Sequence, residues 1–297
     1  MPNTTRVVTH GLLTDDSGRV LLHRVTARWS VPGSDVAHGE HPVDALRRGF
    51  TERTGLSVEP TGPVAAPTVV VDSAVGDSEH VQCLVYRVTV TGGRLHDRFD
   101  AGTGENLWRH PDDLAGQPLG PVPAAILGLD PAPSTVTEYP LPPVERRNPR
   151  ALTREQRVGA YAWLTDPAGR VLLTMVPPGY WASGRWHLAG GGVDFGEDPA
   201  RAVAREIVEE TSQHAELGPL ELITSHHDPR STGPGGAPVD FHGIGLVYRG
   251  LVPEPGDLVI RDVGGSTSQV RWFDAAEIPG LPQTFVVLEA YRRFAVP

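Results

Sequence analysis

The chain has 297 residues, a net charge of −10 and one cysteine, Cys83. The length allows two domains of ordinary size, and 39% hydrophobic residues without an apolar run of the ~18–20 residues that a membrane span needs indicate a soluble globular protein. A single cysteine excludes an internal disulfide, no signal peptide is visible and no basic stripe suggests extended nucleic acid as a partner, so we expect a cytoplasmic protein.

Two predicted strands near the N-terminus belong to a pattern that returns later in the chain. Residues 6–26, RVVTHGLLTDDSGRVLLHRVT, predict two strands joined by a polar turn at 15–18. Four pairs of segments match in the same order: 6–26 with 157–176, 29–56 with 186–213, 83–88 with 245–250, and 106–114 with 270–278. A self-match over four segments indicates duplication of a whole domain.

The segment between the two copies, DPAPSTVTEYPLPPVERRNPR at 130–150, is rich in proline. Because proline is excluded from helix interiors and central strands, this segment predicts an extended, semi-rigid linker. We therefore predict a first domain over 1–129, a linker over 130–150 and a second domain over 151–297. An intrachain pseudo-dimer of the two domains and a homodimer of the chain are both compatible with the duplication.

The second copy contains a glycine-rich turn followed by a predicted helix, LAGGGVDFGEDPARAVAREIVEETSQ at 188–213. Asp198 suits the helix N-cap and Pro199 the first helical position, where its missing N–H costs nothing. At roughly 100° per residue, one arc of the helix is apolar and the next carries carboxylates. The apolar arc comprises Ala200, Val203, Ala204 and Ile207, and the carboxylate arc comprises Glu206, Glu209 and Glu210.

This carboxylate arc requires a partner, because like charges at i,i+4 cost a helix roughly 0.2–0.5 kcal/mol per pair. Arg205 offsets only part of the repulsion. Carboxylates beside a turn that exposes carbonyl oxygens supply the ligands that a hard divalent cation prefers. An acidic, solvated helix face is the alternative interpretation. The combination of the glycine run, Glu197 and the Arg205–Glu206 pair favours a metal site.

These spacings resemble the signature of the Nudix family, G-x5-E-x7-R-E-U-x-E-E-x-G-U, in which U is a bulky aliphatic residue. The matching residues are Gly191, Glu197, Arg205, Glu206, Ile207, Glu209 and Glu210. The chain departs from the signature at the end of the helix, where Ser212 stands for the glycine and Gln213 for the aliphatic residue. These departures affect the helix C-cap and its packing rather than the metal ligands.

The resemblance implies the α/β (α+β) fold class, with two Nudix-type domains that are each a mixed β-sheet sandwiched between α-helices. It also implies a site for Mg²⁺, with Mn²⁺ as the alternative ion. The implied metal ligands are Glu206, Glu209, Glu210 and the backbone carbonyl of Gly190. The implied catalytic residues are Glu206 or Glu209, which would take a proton from the attacking water, and Arg205 and Glu197, which would orient the cluster.

The first copy has lost most of this chemistry. Its residues at the positions of the three metal-binding glutamates are Gly49, Glu52 and Arg53, and Ser34 replaces the first glycine, whereas Glu40 and Arg48 are retained. The arginine places a positive charge where a cation would sit, which would repel the ion. We expect this copy to be a structural or ligand-binding remnant.

The second copy has a longer loop before its box tryptophan, VPPGYWASGRW at 176–186. Aromatic side chains near a phosphate site suit stacking on a flat group, so Tyr180 and Trp181 are predicted to bind substrate. For Trp186, core packing is equally plausible. Because the chain contains no lysine, contacts to phosphate must come from arginine. Arg185 in this loop and Arg230 further along are the predicted contacts.

The rest of the second copy predicts a strand, a Gly/Pro-rich loop over 229–238, another strand and a C-terminal amphipathic helix within 281–294. His226 and His227 are adjacent on a strand and therefore point to opposite faces, which argues against a shared metal site. The C-terminal helix is predicted to bury the side that carries Phe285, Leu288 and Tyr291.

The reaction that the resemblance implies is hydrolysis of a phosphoanhydride in a nucleoside diphosphate linked to another group. The partner would be a small-molecule nucleotide: an ADP-ribose-like compound, a dinucleoside polyphosphate or a modified nucleotide. Two alternatives are a tandem protein that binds a nucleotide metabolite without hydrolysis and a non-hydrolytic Nudix-fold enzyme. The second alternative, in its isopentenyl-diphosphate-isomerase-like form, relies on a cysteine, whereas Cys83 lies in the degenerate copy.

Overall fold

The computed structural model describes residues 4–24, 28–72, 78–96, 98–99, 104–131, 152–233, 236–261 and 265–295. The chain divides into two compact units, Met1–Ala151 and Leu152–Pro297. Most of the predicted linker, 132–150, lies outside the described residues, so the limits of the linker stay a prediction.

The described part of the first unit contains two sheets and two α-helices. Its elements are β1 (Thr4–Leu12), β2 (Val20–Arg24), β3 (Trp29–Ser30), β4 (Gly33–Asp35), α1 (Pro42–Thr54), β5 (Leu56–Ala65), β6 (Thr68–Asp72), β7 (Ser78–Gly93), β8 (Arg98–Phe99), β9 (Gly104–Arg109), a 3-10 helix (Pro111–Leu114) and α2 (Pro121–Leu127). The larger sheet has the order β4-β1-β7-β5, with β6 also paired to β7, and the smaller has the order β3-β2-β9-β8. The larger sheet is mixed, because β1 and β7 are parallel and its other pairs are antiparallel.

The second unit has a similar order of elements, but its described strands form one sheet. Its elements are β10 (Thr153–Thr165), β11 (Val171–Met175), β12 (Trp186–Gly192), α3 (Pro199–Thr211), β13 (Glu216–Thr232), β14 (Pro238–Leu251), β15 (Gln269–Phe273), a 3-10 helix (Ala275–Gly280) and α4 (Phe285–Phe294). The strand order is β13-β14-β10-β12-β11-β15. Only the β10–β14 pair is parallel among these described strands, so this sheet is mixed as well. The predicted fold class is confirmed.

Each unit buries a core of its own. In the second unit, Trp163 of β10 and Val247 of β14 pack with Val286 and Val287 of α4. In the first unit, the corresponding core joins side chains of β1, β2 and β7 to those of α2. Within the described ranges, no helix combines the length and the apolar character required to cross a membrane.

Two predicted features of the second unit differ in the structure. The loop predicted over 229–238 is shorter, because β13 continues to Thr232 and β14 begins at Pro238. The C-terminal helix is present, but its fully buried residues are Val286, Val287 and Ala290. The side predicted to be buried was wrong: Phe285 and Tyr291 pack at the margin of the same core, because α4 is rotated to place its small and β-branched residues against the sheet.

Candidate functional site

Helix α3 begins as its sequence predicts. The side chain of Asp198 accepts hydrogen bonds from the backbone N–H groups of Ala200 and Arg201, at 2.9 and 3.4 Å, and Pro199 is the first helical residue. These contacts satisfy N–H groups that have no partner within the helix. They fix where the helix starts relative to the glycine turn that precedes it.

The buried face of α3 differs from the predicted apolar arc. Val203 and Ile207 are buried as expected, but Ala204 is exposed and Ala202 is buried instead. Glu210, which was assigned to the carboxylate arc, lies on the inward side of the helix. The buried face of α3 is therefore rotated relative to the predicted one.

Glycines at the end of β12 allow α3 to approach the strand closely. Gly190 has a φ of +136°, and a Cβ there would lie 2.2 Å from the backbone oxygen of Ala160, so no other residue fits without strain. At Gly191, a Cβ would lie 2.7 Å from the carboxylate of Glu206. The bare turn therefore leaves room for the helix carboxylates.

Arg205 is the centre of the charged network on α3. Its Nε and Nη2 donate to the two oxygens of Glu197, each at 3.1 Å. Its Nη1 donates to Glu206 at 2.8 Å and to Glu209 at 3.1 Å. The hydrogen bonds from Arg205 lower the pKa of Glu197, and those to Glu197 and Glu206 raise the pKa of Arg205 above its usual range. One guanidinium thus contacts three carboxylates.

Glu210 occupies a different environment from the other two helix glutamates. It is only 3% exposed, and it accepts hydrogen bonds from the backbone N–H of Gly190, from Ser266 and from Thr267. Burial raises the pKa of Glu210 to about 7, although these hydrogen bonds act in the opposite direction. Its clearest structural role is to join the helix to the glycine turn.

The departures from the family signature at the helix C-terminus anchor a later segment. Ser212 adopts the left-handed conformation, with φ of 56°, and its hydroxyl donates to the carbonyl of Val259. The buried side chain of Gln213 bonds to the backbone of Gly256 and Asp257. The polar residues therefore attach the segment 256–259 to the end of α3.

A cavity of about 820 Å³ lies beside the carboxylates. Glu206, Glu209 and Glu210 line it together with the glycine turn. Tyr180 and Trp181 line it too, and they are 45% and 58% exposed. Arg185 and Arg230 are not among its lining residues: the guanidinium of Arg185 donates to the carbonyl of Gln283, and Arg230 is exposed on β13. Their roles in binding stay predictions.

Trp186 belongs to the core rather than to the cavity. Its side chain is 7% exposed and packs edge-on against Phe273, with ring centroids 4.6 Å apart. Of the two interpretations offered by the sequence, the structure favours packing.

Several residues that line the cavity were not found by sequence reasoning. Glu155, Arg157, Gly159 and Tyr161 alternate along one face of β10. Burial raises the pKa of Tyr161 to about 12, and the negative charges of Glu210 and Glu206 contribute to the rise, so the phenol lies near the carboxylates. The internal duplication aligns these residues with 4–10 in the first copy, but it does not link them to the site.

The first unit has rebuilt the equivalent of this site. Arg48 still binds Glu40, at 3.1 Å for both of its contacts. Arg53, at the position of Glu210, donates from Nε to the carbonyl of Gly33 at 2.6 Å. Gly33 aligns with Gly190, so in the first unit a guanidinium contacts the carbonyl equivalent to the one at Gly190 that was predicted to bind a metal ion.

Both units match one known protein family. A family model described as the NUDIX domain matches residues 4–127 and 155–293. No curated protein matches the chain.

Solved structures resemble about half of the chain. A MutT NUDIX hydrolase from Burkholderia pseudomallei has 28% identity, covers 48% of this chain and 99% of its own, and has a TM-score of 0.39. The MutT protein from Methanosarcina mazei Go1 has 21% identity, covers 49% and 96%, and has a TM-score of 0.40. The NUDIX domain of Shewanella oneidensis NrtR, in complex with ADP ribose, has 22% identity, covers 50% and 91%, and has a TM-score of 0.37.

Proposed function

Because the chain belongs to the Nudix family, we propose that its second unit hydrolyses a phosphoanhydride bond in a nucleoside diphosphate linked to another group, with a divalent metal ion as cofactor. The observation that carries this proposal is the contact of one Arg205 nitrogen with both Glu206 and Glu209 beside the bare turn at Gly191. We assign the activity to the domain predicted over 151–297.

The donor atoms fit a hard divalent ion. The carboxylates of Glu206 and Glu209 converge within hydrogen-bond distance of one nitrogen atom, and both line the cavity. A side chain at Gly191 would fill the space that they use. Mg²⁺ would be held by Glu206, Glu209 and Glu210 and by the carbonyl of Gly190, and Mn²⁺ fits the same oxygen ligands. Such an ion neutralises the diphosphate and lowers the pKa of a bound water.

The residues of the chain divide the remaining work. Glu209 has a side chain that is 43% exposed, against 15% for Glu206, so we assign to Glu209 the proton released by the attacking water. Arg205 and Glu197 orient the two carboxylates through their four hydrogen bonds. Glu210 holds the glycine turn against α3.

The aromatic pair Tyr180 and Trp181 is proposed to stack on the flat group of the nucleotide. Both side chains line the cavity while remaining accessible, which is the arrangement that a stacking platform requires.

The test is a Mg²⁺-dependent hydrolysis screen over ADP-ribose, dinucleoside polyphosphates and modified nucleoside triphosphates. The wild-type chain is compared with the double variant Glu206→Gln, Glu209→Gln. We expect release of nucleoside monophosphate or phosphate from at least one compound and a loss of about 10²–10⁴-fold in the variant.

The matched control is Glu216→Gln, which removes an exposed carboxylate from β13 outside the cavity and should leave turnover unchanged. Turnover that survives in the double variant would show that the chemistry lies elsewhere. Binding of a nucleotide by the wild-type chain without turnover of any compound would instead support a binding protein.

A further inference from the structure

The two units can be compared position by position because their central strands share one register. In the first unit Arg6 lies opposite Val81 and Val8 opposite Cys83, and in the second Arg157 lies opposite Gly243 and Gly159 opposite Gly245. The neighbouring antiparallel strand agrees, with Val8 opposite Asp35 and Gly159 opposite Gly192. Arg157 is therefore the counterpart of Arg6.

In the first unit this arginine forms two ion pairs with acids of the same unit. Arg6 is 8% exposed, and its guanidinium contacts Asp35 at 3.4 Å and Glu79 at 3.5 Å. The Arg6–Glu79 pair is buried on both sides and so depends on both partners being present, whereas the side chain of Asp35 is 60% exposed.

In the second unit both acids are absent from those positions. Gly192 stands where Asp35 stands, and Phe241 stands where Glu79 stands. Arg157 lines the cavity, its side chain is 65% exposed, and its contact is with Glu155, two residues away on the same strand. The duplication has moved the same arginine from the interior to a ligand-accessible wall.

Two paired glycines lie on the strands that carry Arg157 and the glycine turn. Gly159 and Gly192 face each other across β10 and β12, next to Gly191 and Glu206. Neither Gly159 nor Gly192 has a positive φ, so backbone conformation does not require glycine at these positions. A Cβ on Gly192 would meet nothing within 4 Å, so the space above it is open, whereas a Cβ on Gly159 would lie 2.4 Å from the hydroxyl oxygen of Tyr161, which covers that glycine.

Charge balance indicates what this space is for. Among the described residues that line the cavity there are four glutamates and two arginines, and Arg205 is already committed to three carboxylates. An anionic substrate therefore needs a second cationic contact, and Arg157 supplies it. A guanidinium is suited to two oxygens of one phosphate.

We propose that Arg157 binds a phosphate group of the substrate's diphosphate, which lies over Gly192 between Arg157 and the α3 carboxylates. This inference rests on the proposed function, since it names the part of the substrate that the same site holds. Arg157 is a binding residue, and its effect belongs in affinity rather than in the chemical step.

The first test measures binding of α,β-methylene-ADP, whose P–C–P link resists hydrolysis, by calorimetry in the presence of Mg²⁺. Arg157→Gln is expected to weaken binding by about 10- to 100-fold. Arg157→Lys should recover part of the loss, and binding of adenosine, which has no phosphate, should stay unchanged. Arg154→Gln, an exposed arginine of β10 outside the cavity, is the matched control.

The second test restores the internal partner found in the first unit. Gly192→Asp should form an ion pair with Arg157 and thereby weaken binding of α,β-methylene-ADP. Gly192→Asn, which introduces the neutral isostere of aspartate, should weaken this binding much less. Combined with Arg157→Gln, Gly192→Asp should add little, because both changes remove the same contact. Circular dichroism and thermal melting confirm folding of each variant.

The inference is overturned if the affinity of Arg157→Gln for α,β-methylene-ADP is within two-fold of the wild-type affinity. It is also overturned if the variant loses affinity for adenosine by the same factor as for α,β-methylene-ADP. It is also overturned if the wild-type chain binds α,β-methylene-ADP no more tightly than adenosine. Turnover is measured separately in the hydrolysis screen, so failure of the phosphate contact and failure of the hydrolase proposal give different results.

Discussion

At the scale of single residues, Arg205 is the side chain on which the candidate site depends most. It contacts Glu197 with two nitrogens and still reaches Glu206 and Glu209 with the third. Lysine carries one ammonium on a flexible stem, so it cannot reproduce a planar, forked set of contacts.

We therefore expect Arg205→Lys to lower kcat by about 10–100-fold, because the carboxylates lose their common partner. The melting temperature should change little, since the charged network is partly exposed. Steady-state hydrolysis of the substrate identified in the screen measures the effect. Arg201→Lys, exposed on the same helix, is the control. Wild-type kcat in Arg205→Lys would mean that Glu206 and Glu209 are positioned without it.

Which site residues can be predicted from sequence depends on how far apart they lie in the chain. Arg205, Glu206 and Glu209 lie within five residues of one helix, and Glu197 lies just before the helix begins, so a local pattern predicts their proximity. Arg157 and Tyr161 reach the same cavity only through the pairing of β10 with β12, and that register is not written in any local segment. The internal duplication aligns Arg157 with Arg6 and Tyr161 with His10, but it does not link these positions to the site.

At the scale of elements, both units use the same turn between their first two strands. In the second unit the carboxylate of Asp166 accepts from the backbone of Ala168 and Arg170 and from the guanidinium of Arg170, at 2.6–3.0 Å. Asp15 and Arg19 make the same contacts in the first unit. This turn sets the register of the hairpin that carries the site strand β10.

The turn predicts a pH-dependent contribution to stability. Burial raises the pKa of Asp166, but its hydrogen bonds with Arg170 outweigh burial and leave the pKa below its ordinary value. Because the folded-state pKa is lower than the unfolded one, the contribution is fully present above the unfolded pKa of about 3.9 and is lost as the pH falls through the folded pKa.

Asp166→Asn should therefore lower the free energy of unfolding by about 1–2 kcal/mol at pH 7, and the difference from wild type should shrink below about pH 4. Urea titrations at pH 7 and pH 3 measure it. Asp257→Asn, at an exposed carboxylate, serves as the control. A difference of the same size at both pH values would show that the ion pair is not its source.

The ends of α3 show what a local pattern can and cannot predict about an element. Asp198 and Pro199 predict the N-terminus because their contacts lie within the next few residues. Ser212 and Gln213 read only as departures from a family pattern, because their partners, Val259, Gly256 and Asp257, lie more than forty residues later.

At the scale of the whole molecule, the duplication predicts metal binding in one unit only. In the first unit Arg53 contacts the carbonyl of Gly33. The residue aligned with Arg53 in the second unit is Glu210, a carboxylate that accepts from the backbone N–H of Gly190. The positive charge of Arg53 beside Gly33 opposes binding of a metal ion at that turn of the first unit.

The double variant Glu206→Gln, Glu209→Gln should therefore abolish tight Mn²⁺ binding by the entire chain, as measured by electron paramagnetic resonance of free Mn²⁺. Glu40→Gln, Glu52→Gln, which changes the two acids retained in the first unit, should bind Mn²⁺ with wild-type stoichiometry. Residual tight binding in the first variant would place an ion in the first unit.

At three positions the first unit has valine or cysteine where the second unit has glycine. This difference affects how the core of each unit is packed. Val8, Val81 and Cys83 are buried in the core of the first unit, and the aligned Gly159, Gly243 and Gly245 line a cavity. A Cβ at Gly159 would lie 2.4 Å from Tyr161, at Gly243 2.9 Å from Phe241 and at Gly245 2.5 Å from Thr224, so neighbouring side chains occupy the space that valine and cysteine fill in the first unit. The two units therefore pack this part of their sheets differently: the first with side chains at these positions, and the second with neighbouring side chains that extend over glycine.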